Sequence, residues 1–418
     1  MKILQINKFH YLKGGAERYY LELSKFLEEK GHQVVHFSMA DEKNIPSPYA
    51  AYFSAPVDFN RTDLSLFTKI KYAFNIIYNF SAKKKLEALL EKEQPDVAHL
   101  HNIYHQLSLS VIDALKKQNV PIIMHLHDYK LICPNYKMFC DKKICDRCVG
   151  GAYYQCALRK CVKNSYLKSL VAALEAYLHN RILKTYEKID LFIAPSQYMK
   201  DVCVSAGIPE KKIKVIYNFL PPQFMNGVKE VSATDSDYIL YWGRLVEEKG
   251  IDVLIDAMQA VDENVKLKIV GAGPERANYE ARIMNHGLGD KVRLLGPKYG
   301  EDLKKIINSA KAIVVSSLWA ENMPFTLLEA MAMGKVVLGA RIGGLPEIID
   351  NSRTGYLYDI KNKADLSTKI NMIMRKSDHD LKIMGEKAKE KIFGLRIEKH
   401  YEKLEKLYEK AKNQKKNG

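Results

Sequence analysis

Two glutamates, Glu321 and Glu329, stand eight residues apart, with Pro324 opening an apolar run between them. A helix begun near Pro324 carries Glu329 on its second turn. The free N–H groups and partial positive charge of its first turn suit an anion such as phosphate. A carboxylate just before the helix and one within it could accept hydrogen bonds from hydroxyls at either end of that anion. A ribose, a diphosphate and a sugar joined in line have this shape. Two cations stand apart in the segment GRLVEEKG, where Arg244 follows Gly243 and Lys249 precedes Gly250. Arg244 offers a planar donor fork and Lys249 a mobile point charge. Both suit a diphosphate leaving group, on which negative charge develops. The competing reading is structural: solvated glutamates, a Met/Leu/Ala core, and a surface ion pair to Glu247 or Glu248.

Other turns could border the same ligand. Gly14-Gly15-Ala16-Glu17 follows the first apolar run and opens a helical pattern, where glycines let backbone amides approach a ligand. The full GxGxxG pattern is absent there, so a dehydrogenase-type dinucleotide site is not supported. Gly271-Ala272-Gly273-Pro274 and Gly343-Gly344-Leu345-Pro346-Glu347 are further glycine turns after apolar runs. His125 and His127 share one face of a strand by alternation, where a histidine could bond a sugar hydroxyl or a leaving group. His99 and His101 repeat the pattern.

The elements that must position these residues alternate. Lys2–Asn7, Gln33–Ser38, Asp96–Leu100, Pro121–Leu126, Asp190–Ala194 and Lys212–Tyr217 read as strands, with helical patterns such as Ala16–Lys30 between them. Phe219-Leu220-Pro221-Pro222 breaks the pattern, and the polar stretch to Ser236 reads as a linker. Tyr238–Tyr241, Lys266–Val270, Val292–Leu295, Ala312–Ser316 and Lys335–Gly339 form a second series. Such alternation implies parallel sheets covered on both faces, with ligands outside the carboxyl ends of the strands. The expectation is an α/β protein of two doubly wound, Rossmann-like domains, with the site in the cleft between them. Residues 1–220 form the first domain, 221–395 the second, and 396–418 end in a helix rich in Lys and Glu.

Taken together, the pieces resemble the retaining glycosyltransferases of family 4, also called group 1. GGAE at 14–17, HD at 127–128, APS at 194–196, GRLVEEKG at 243–250, GAGP at 271–274, the E-x7-E block at 321–329 and GGLPE at 343–347 occur in family order. The resemblance implies a GT-B fold whose second domain holds a nucleotide-sugar donor. By it, Arg244 and Lys249 contact the diphosphate, and Glu329 binds the ribose hydroxyls. Glu321 lies near the donor sugar, with the backbone of Asn322, Met323, Pro324, Phe325 and Thr326 lining sugar and phosphates. Gly15, beside Gly14, reaches the phosphates, while Gly243, Gly271 and Gly273 border the donor. His127 sits near the sugar, and the terminal helix returns to the first domain. The implied mechanism retains anomeric configuration and requires no metal cofactor. The donor is most simply a UDP-sugar and the acceptor a saccharide or lipid-linked saccharide, in cell-surface polysaccharide or glycolipid synthesis. A nucleotide-sugar-binding protein without transfer activity and a nucleotide-sugar epimerase are the alternatives.

Six of seven cysteines fall between residues 133 and 161, in an insert outside the family pattern. Cys145-x2-Cys148 has zinc-knuckle spacing, and Cys140 and Cys161 could complete four ligands of a structural zinc site. A reduced or redox-labile loop and disulfides are the other readings. The formal charge is +16, and the excess lies in the first 220 residues, with 32 Lys and Arg against 21 Asp and Glu, and in residues 396–418, with 8 against 4. An anionic partner fits this imbalance. No nucleic-acid-binding signature is present, which ranks an anionic membrane surface first. The stretch 64–85, LSLFTKIKYAFNIIYNFSAKKK, reads as an amphipathic element for that surface. The opening residues lack the apolar core of a signal peptide, which predicts a cytoplasmic protein, peripheral on the inner face of the plasma membrane. Oligomeric state is not legible.

Overall fold

The structure is a computed structural model describing residues 1–57, 65–224 and 238–416. The linker expected up to Ser236 lies outside the described residues from position 225 onward. The chain divides into two compact units: Met1–Met138 with Cys145–Tyr217 and His400–Gly418, and Phe139–Ile144 with Asn218–Lys399.

The first unit is built on a six-stranded sheet. Its strands are β1 (Lys2–Ile6), β2 (Gln33–Phe37), β3 (Val97–Leu100) and β4 (Ile122–His125). A short antiparallel hairpin follows, β5 (Phe139–Cys140) with β6 (Lys143–Ile144), belonging to the second unit. Strands β7 (Leu191–Ala194) and β8 (Ile213–Val215) complete the first sheet. Its order is β2-β1-β3-β4-β7-β8, all parallel. Near-continuous apolar runs such as IIMH and LFIA suit strands covered on both faces, and β3, β4 and β7 are buried throughout.

The second sheet uses β9 (Tyr238–Trp242), β10 (Lys266–Val270), β11 (Val292–Leu294), β12 (Ala312–Val315), β13 (Val336–Ala340) and β14 (Gly355–Tyr358). The order is β11-β10-β9-β12-β13-β14, again all parallel. Strand order reverses between β1 and β3 in one sheet and between β9 and β12 in the other. Each reversal opens a crevice at the strands' carboxyl ends, where ligands of doubly wound folds bind. The expected two Rossmann-like domains are therefore present.

The helix Ile397–Lys416 supplies the first unit from His400 onward. Tyr19 and His400 share a hydrogen bond of 2.7 Å, His99 and Tyr408 one of 2.7 Å, and Lys412 pairs with Asp96 at 3.1 Å.

Candidate functional site

In the second unit the loops after β9 and β12 flank the strand reversal, and backbone hydrogen bonds lace them together. Leu318 N–H donates to Glu248 O at 2.9 Å, and Ser316 Oγ donates to Lys249 O at 2.8 Å. The loop after β10 joins the same frame: Gly243 N–H donates to Val270 O and Leu245 N–H to Ala272 O. Gly271 is required there. Its φ is +148°, and a Cβ would stand 1.9 Å from Gly243 O.

Arg244 emerges from this frame at an exposed position, beyond the end of β9. Lys249, closing the turn Glu247–Lys249, forms an ion pair with Glu321. Ser317 Oγ donates to the same carboxylate oxygen at 2.6 Å. Burial of Glu321 works against ionisation. Lys249, Ser317 and Trp319 outweigh it and hold the carboxyl below its usual range. Lys249 and Glu321, expected as separate donor contacts, are thus one charged pair.

The helix Phe325–Ala332 starts after extended Pro324, with Glu329 buried on its second turn. Its approach is pinned by Asn218, whose Nδ2 donates to Met323 O at 3.0 Å, and by the Phe219 ring against Phe325. Asn322 is buried, and Thr326 is half-buried beside Phe325. The turn at Gly343-Gly344 braces Glu321 from behind. Gly344 N–H donates to Glu321 O at 2.6 Å, and at Gly343 (φ +59°) a Cβ would stand 2.2 Å from that oxygen. The GGLPE segment is therefore a buttress for the glutamate. Gly273 lies against Leu245 O in the same set of loops.

In the first unit Gly14 is the extended N-cap of the helix Gly15–Glu29, whose first turn holds buried Glu17. Across the strand ends, a chain of hydrogen bonds reaches His127. Gln5 Oε1 lies 2.6 Å from His101 Nε2, and His101 Nδ1 lies 3.0 Å from His127 Nε2. Gln5 presents to His101 Nε2 its amide oxygen, which can only accept. Its oxygen must then accept from His101 Nε2–H, so His101 Nδ1 accepts from His127 Nε2–H. Packing withdraws the His127 ring from water and pushes its pKa down to about 3. His127 is neutral at pH 7 and can exchange hydrogen bonds with a sugar but cannot neutralise a diphosphate. His99, His101 and His125 are buried beside it, and burial lowers their pKa values too. The APS segment is structural: Ser196 Oγ caps the helix Gln197–Ser205 by accepting from Met199 N–H.

This histidine cluster sets an acid limit. Burial likewise brings His400 down to about 4 from 6.5. The unfolded chain takes up these protons first, so stability is present above pH 6.5 and lost as pH falls toward the folded values. The melting temperature is expected to drop as pH is lowered from about 7 to about 5, before most carboxylates titrate. A flat profile over that interval would contradict the neutral cluster.

Three of the cysteines share one apolar cluster. Cys148 and Cys156 lie in an apolar cluster with Tyr153, Ala173 and Ala176, and Cys161 packs against it. Cys133 Sγ donates to Asn135 Oδ1 at 2.9 Å. Among the described residues no three His, Cys, Asp or Glu are grouped to hold a metal ion. Burial pushes the Cys133 thiol up to about 11 and Cys148 up to about 12. No disulfide joins any of the seven cysteines, all of which are among the described residues.

Sequence reasoning missed Asn218, Ser317 and Gln5, since nothing in their local spacing marks them. His101 carried the same strand-end signal as His127.

The fold agrees with known proteins over nearly its whole length. The crystal structure of Anabaena Alr3699/HepE in complex with UDP-glucose superposes with a TM-score of 0.69, covering 98% of this chain and 100% of that one at 17% identity. The architectural class is GT-B, and the protein is a glycosyltransferase. Residues 13–224 match the family model Glycosyltransferase Family 4 and residues 226–391 the model Glycosyl transferases group 1, so the chain belongs to this family. An uncharacterized 42.6 kDa protein in the cps region of Klebsiella pneumoniae is 27% identical over 83% of this chain and 87% of its own. N-acetyl-alpha-D-glucosaminyl L-malate synthase of Bacillus anthracis is 23% identical over 97% and 96%.

Proposed function

We propose that the protein is a retaining hexosyltransferase that moves a sugar from a UDP-sugar to a saccharide or lipid-linked saccharide acceptor at the cytoplasmic leaflet, in building a cell-surface polysaccharide or glycolipid. One observation carries this reading: the charged pair Lys249–Glu321 stands at the strand reversal next to the helix that bears Glu329, with Arg244 exposed on the loop after β9. The relative from a cps region and the solved structure that holds UDP-glucose support the donor and pathway class.

In this reading Arg244 and Lys249 meet the donor diphosphate, so no metal is invoked for its charge. Glu329 accepts from the ribose hydroxyls, and ionised Glu321 accepts from a sugar hydroxyl. Gly14 and Gly15 contribute backbone amides to the phosphates, and His127 exchanges a hydrogen bond with the sugar. The acceptor hydroxyl bonds to the anomeric carbon as the bond from that carbon to the diphosphate oxygen breaks. The acceptor proton passes to the departing diphosphate on the same face. Glu321 is not the base, because it is already tied to Lys249 and Ser317.

A thermal-shift screen with UDP-, GDP- and ADP-sugars tests the donor. The melting temperature should rise with the UDP series only, and Glu329→Ala should abolish the rise. A shift with GDP- or ADP-sugars alone overturns the UDP assignment. No shift with any donor overturns the reading, and conversion of the donor sugar without acceptor would make the protein an epimerase.

A further inference from the structure

The helix Tyr166–Tyr177 continues into the π-helical turn Leu178–Ile182. Leu167, Val171, Leu174, Leu178 and Ile182 recur along it at steps of four, three, four and four, which puts them on one face. Leu167 is 72% exposed, Leu174 50% and Ile182 71%, and Val171 and Leu178 are half-buried. The opposite face is small and buried, at Ser169, Ala172, Ala173 and Ala176, and the helix packs on the short helix Tyr154–Leu158. The result is an outward apolar stripe about 22 Å long.

Its charge is one-sided. Between residues 154 and 184 there are six Lys and Arg against one acid, Glu175. Glu175 is buried and bonded to Lys130. Lys163 and Lys168 stand exposed near one end of the stripe, Arg181 and Lys184 at the other, where Lys184 lies 3.8 Å from exposed Glu187. Two copies meeting through this face would set cation against cation, which disfavours self-association. An anionic bilayer offers apolar depth for the stripe and negative headgroups for its flanks. We infer that the face Leu167–Lys184 docks the protein on an anionic membrane surface.

Position 64 of the stretch 64–85 lies outside the described residues. From position 65 the stretch forms two helices, Leu66–Ile77 and Phe80–Glu93, the first packed on Tyr166–Tyr177 with Phe74 68% exposed. No helix among the described residues is long and apolar enough to cross a membrane. The docking inference extends the reading of a lipid-linked acceptor, but it stands or falls without any transfer activity.

Flotation of the full chain with vesicles tests it. Binding is expected to phosphatidylcholine vesicles containing phosphatidylglycerol, and to weaken with salt. Leu174→Asn with Ile182→Asn, at exposed positions, should lower the partition coefficient more than tenfold. Lys168→Gln with Lys184→Gln should do the same at low salt. UDP-sugar thermal shifts should persist in both variants, which separates this outcome from failure of the donor assignment. Absence of binding to anionic vesicles overturns the inference. So does binding that neither pair of substitutions changes, or a concentration-dependent dimer that Leu174→Asn with Ile182→Asn dissolves.

Discussion

Arg244→Ala combined with Lys249→Ala is expected to lower kcat by roughly 10²-fold or more. That loss corresponds to about 2.7 kcal/mol of transition-state stabilisation. Negative charge grows on the departing diphosphate as its bond to the sugar breaks, and a cation placed in advance acts most strongly at that moment. Arg244 is exposed on its loop, whereas Lys249 is held by Glu321 and by the backbone links of its turn. The arginine should therefore affect donor binding and turnover together, and the lysine mainly turnover. Removing Lys249 also leaves Glu321 buried without its cation. Thermal unfolding of each single variant separates that stability cost from the catalytic one. Near-normal turnover in a folded double variant would mean that the reaction happens elsewhere.

The second large effect is on stability. Lys130 Nζ and Glu175 Oε2 lie 2.5 Å apart, with both side chains 2% exposed, and Lys130 also donates to Pro134 O. Lys130 sits three residues after His127, while Glu175 is on the helix of the docking face. Lys130→Met strands a carboxylate away from water and should destabilise the protein by about 3–5 kcal/mol. Lys130→Met with Glu175→Leu should recover much of that loss, because the double variant buries no unpaired charge. Urea unfolding of the two single variants and the double variant measures this. Additive losses would show that the two groups are not coupled.

The strands were legible because their apolar runs are nearly uninterrupted, as in Ala312–Val315 and Val336–Ala340. Gly355–Tyr358 escaped because GYLY is short and opens on glycine, and the hairpin Phe139–Cys140 with Lys143–Ile144 was hidden among the cysteines. The glutamate spacing was readable because one helix relates its members. The Lys249–Glu321 pair was not, since 72 residues separate its partners, and Asn218 and Met323 are 105 apart. The zinc-knuckle spacing drew notice to Cys145, yet the apolar cluster selects Cys148, Cys156 and Cys161 by packing. Linear spacing reports neighbours within an element, and these contacts are made between elements.

The fastening of His400, Tyr408 and Lys412 into the first sheet's unit bears on how the protein is made. Tyr217 O and His400 Nδ1 are bonded at 2.9 Å although 183 residues separate them. At roughly 5–20 residues per second, a ribosome needs on the order of 10–35 s to cover that distance. Through that interval the nascent first unit leaves Tyr19 and His99 without the helix that covers them. The second sheet, contained between Asn218 and Lys399, needs nothing synthesised later and can fold completely first. The half of the chain that is translated first is therefore finished last.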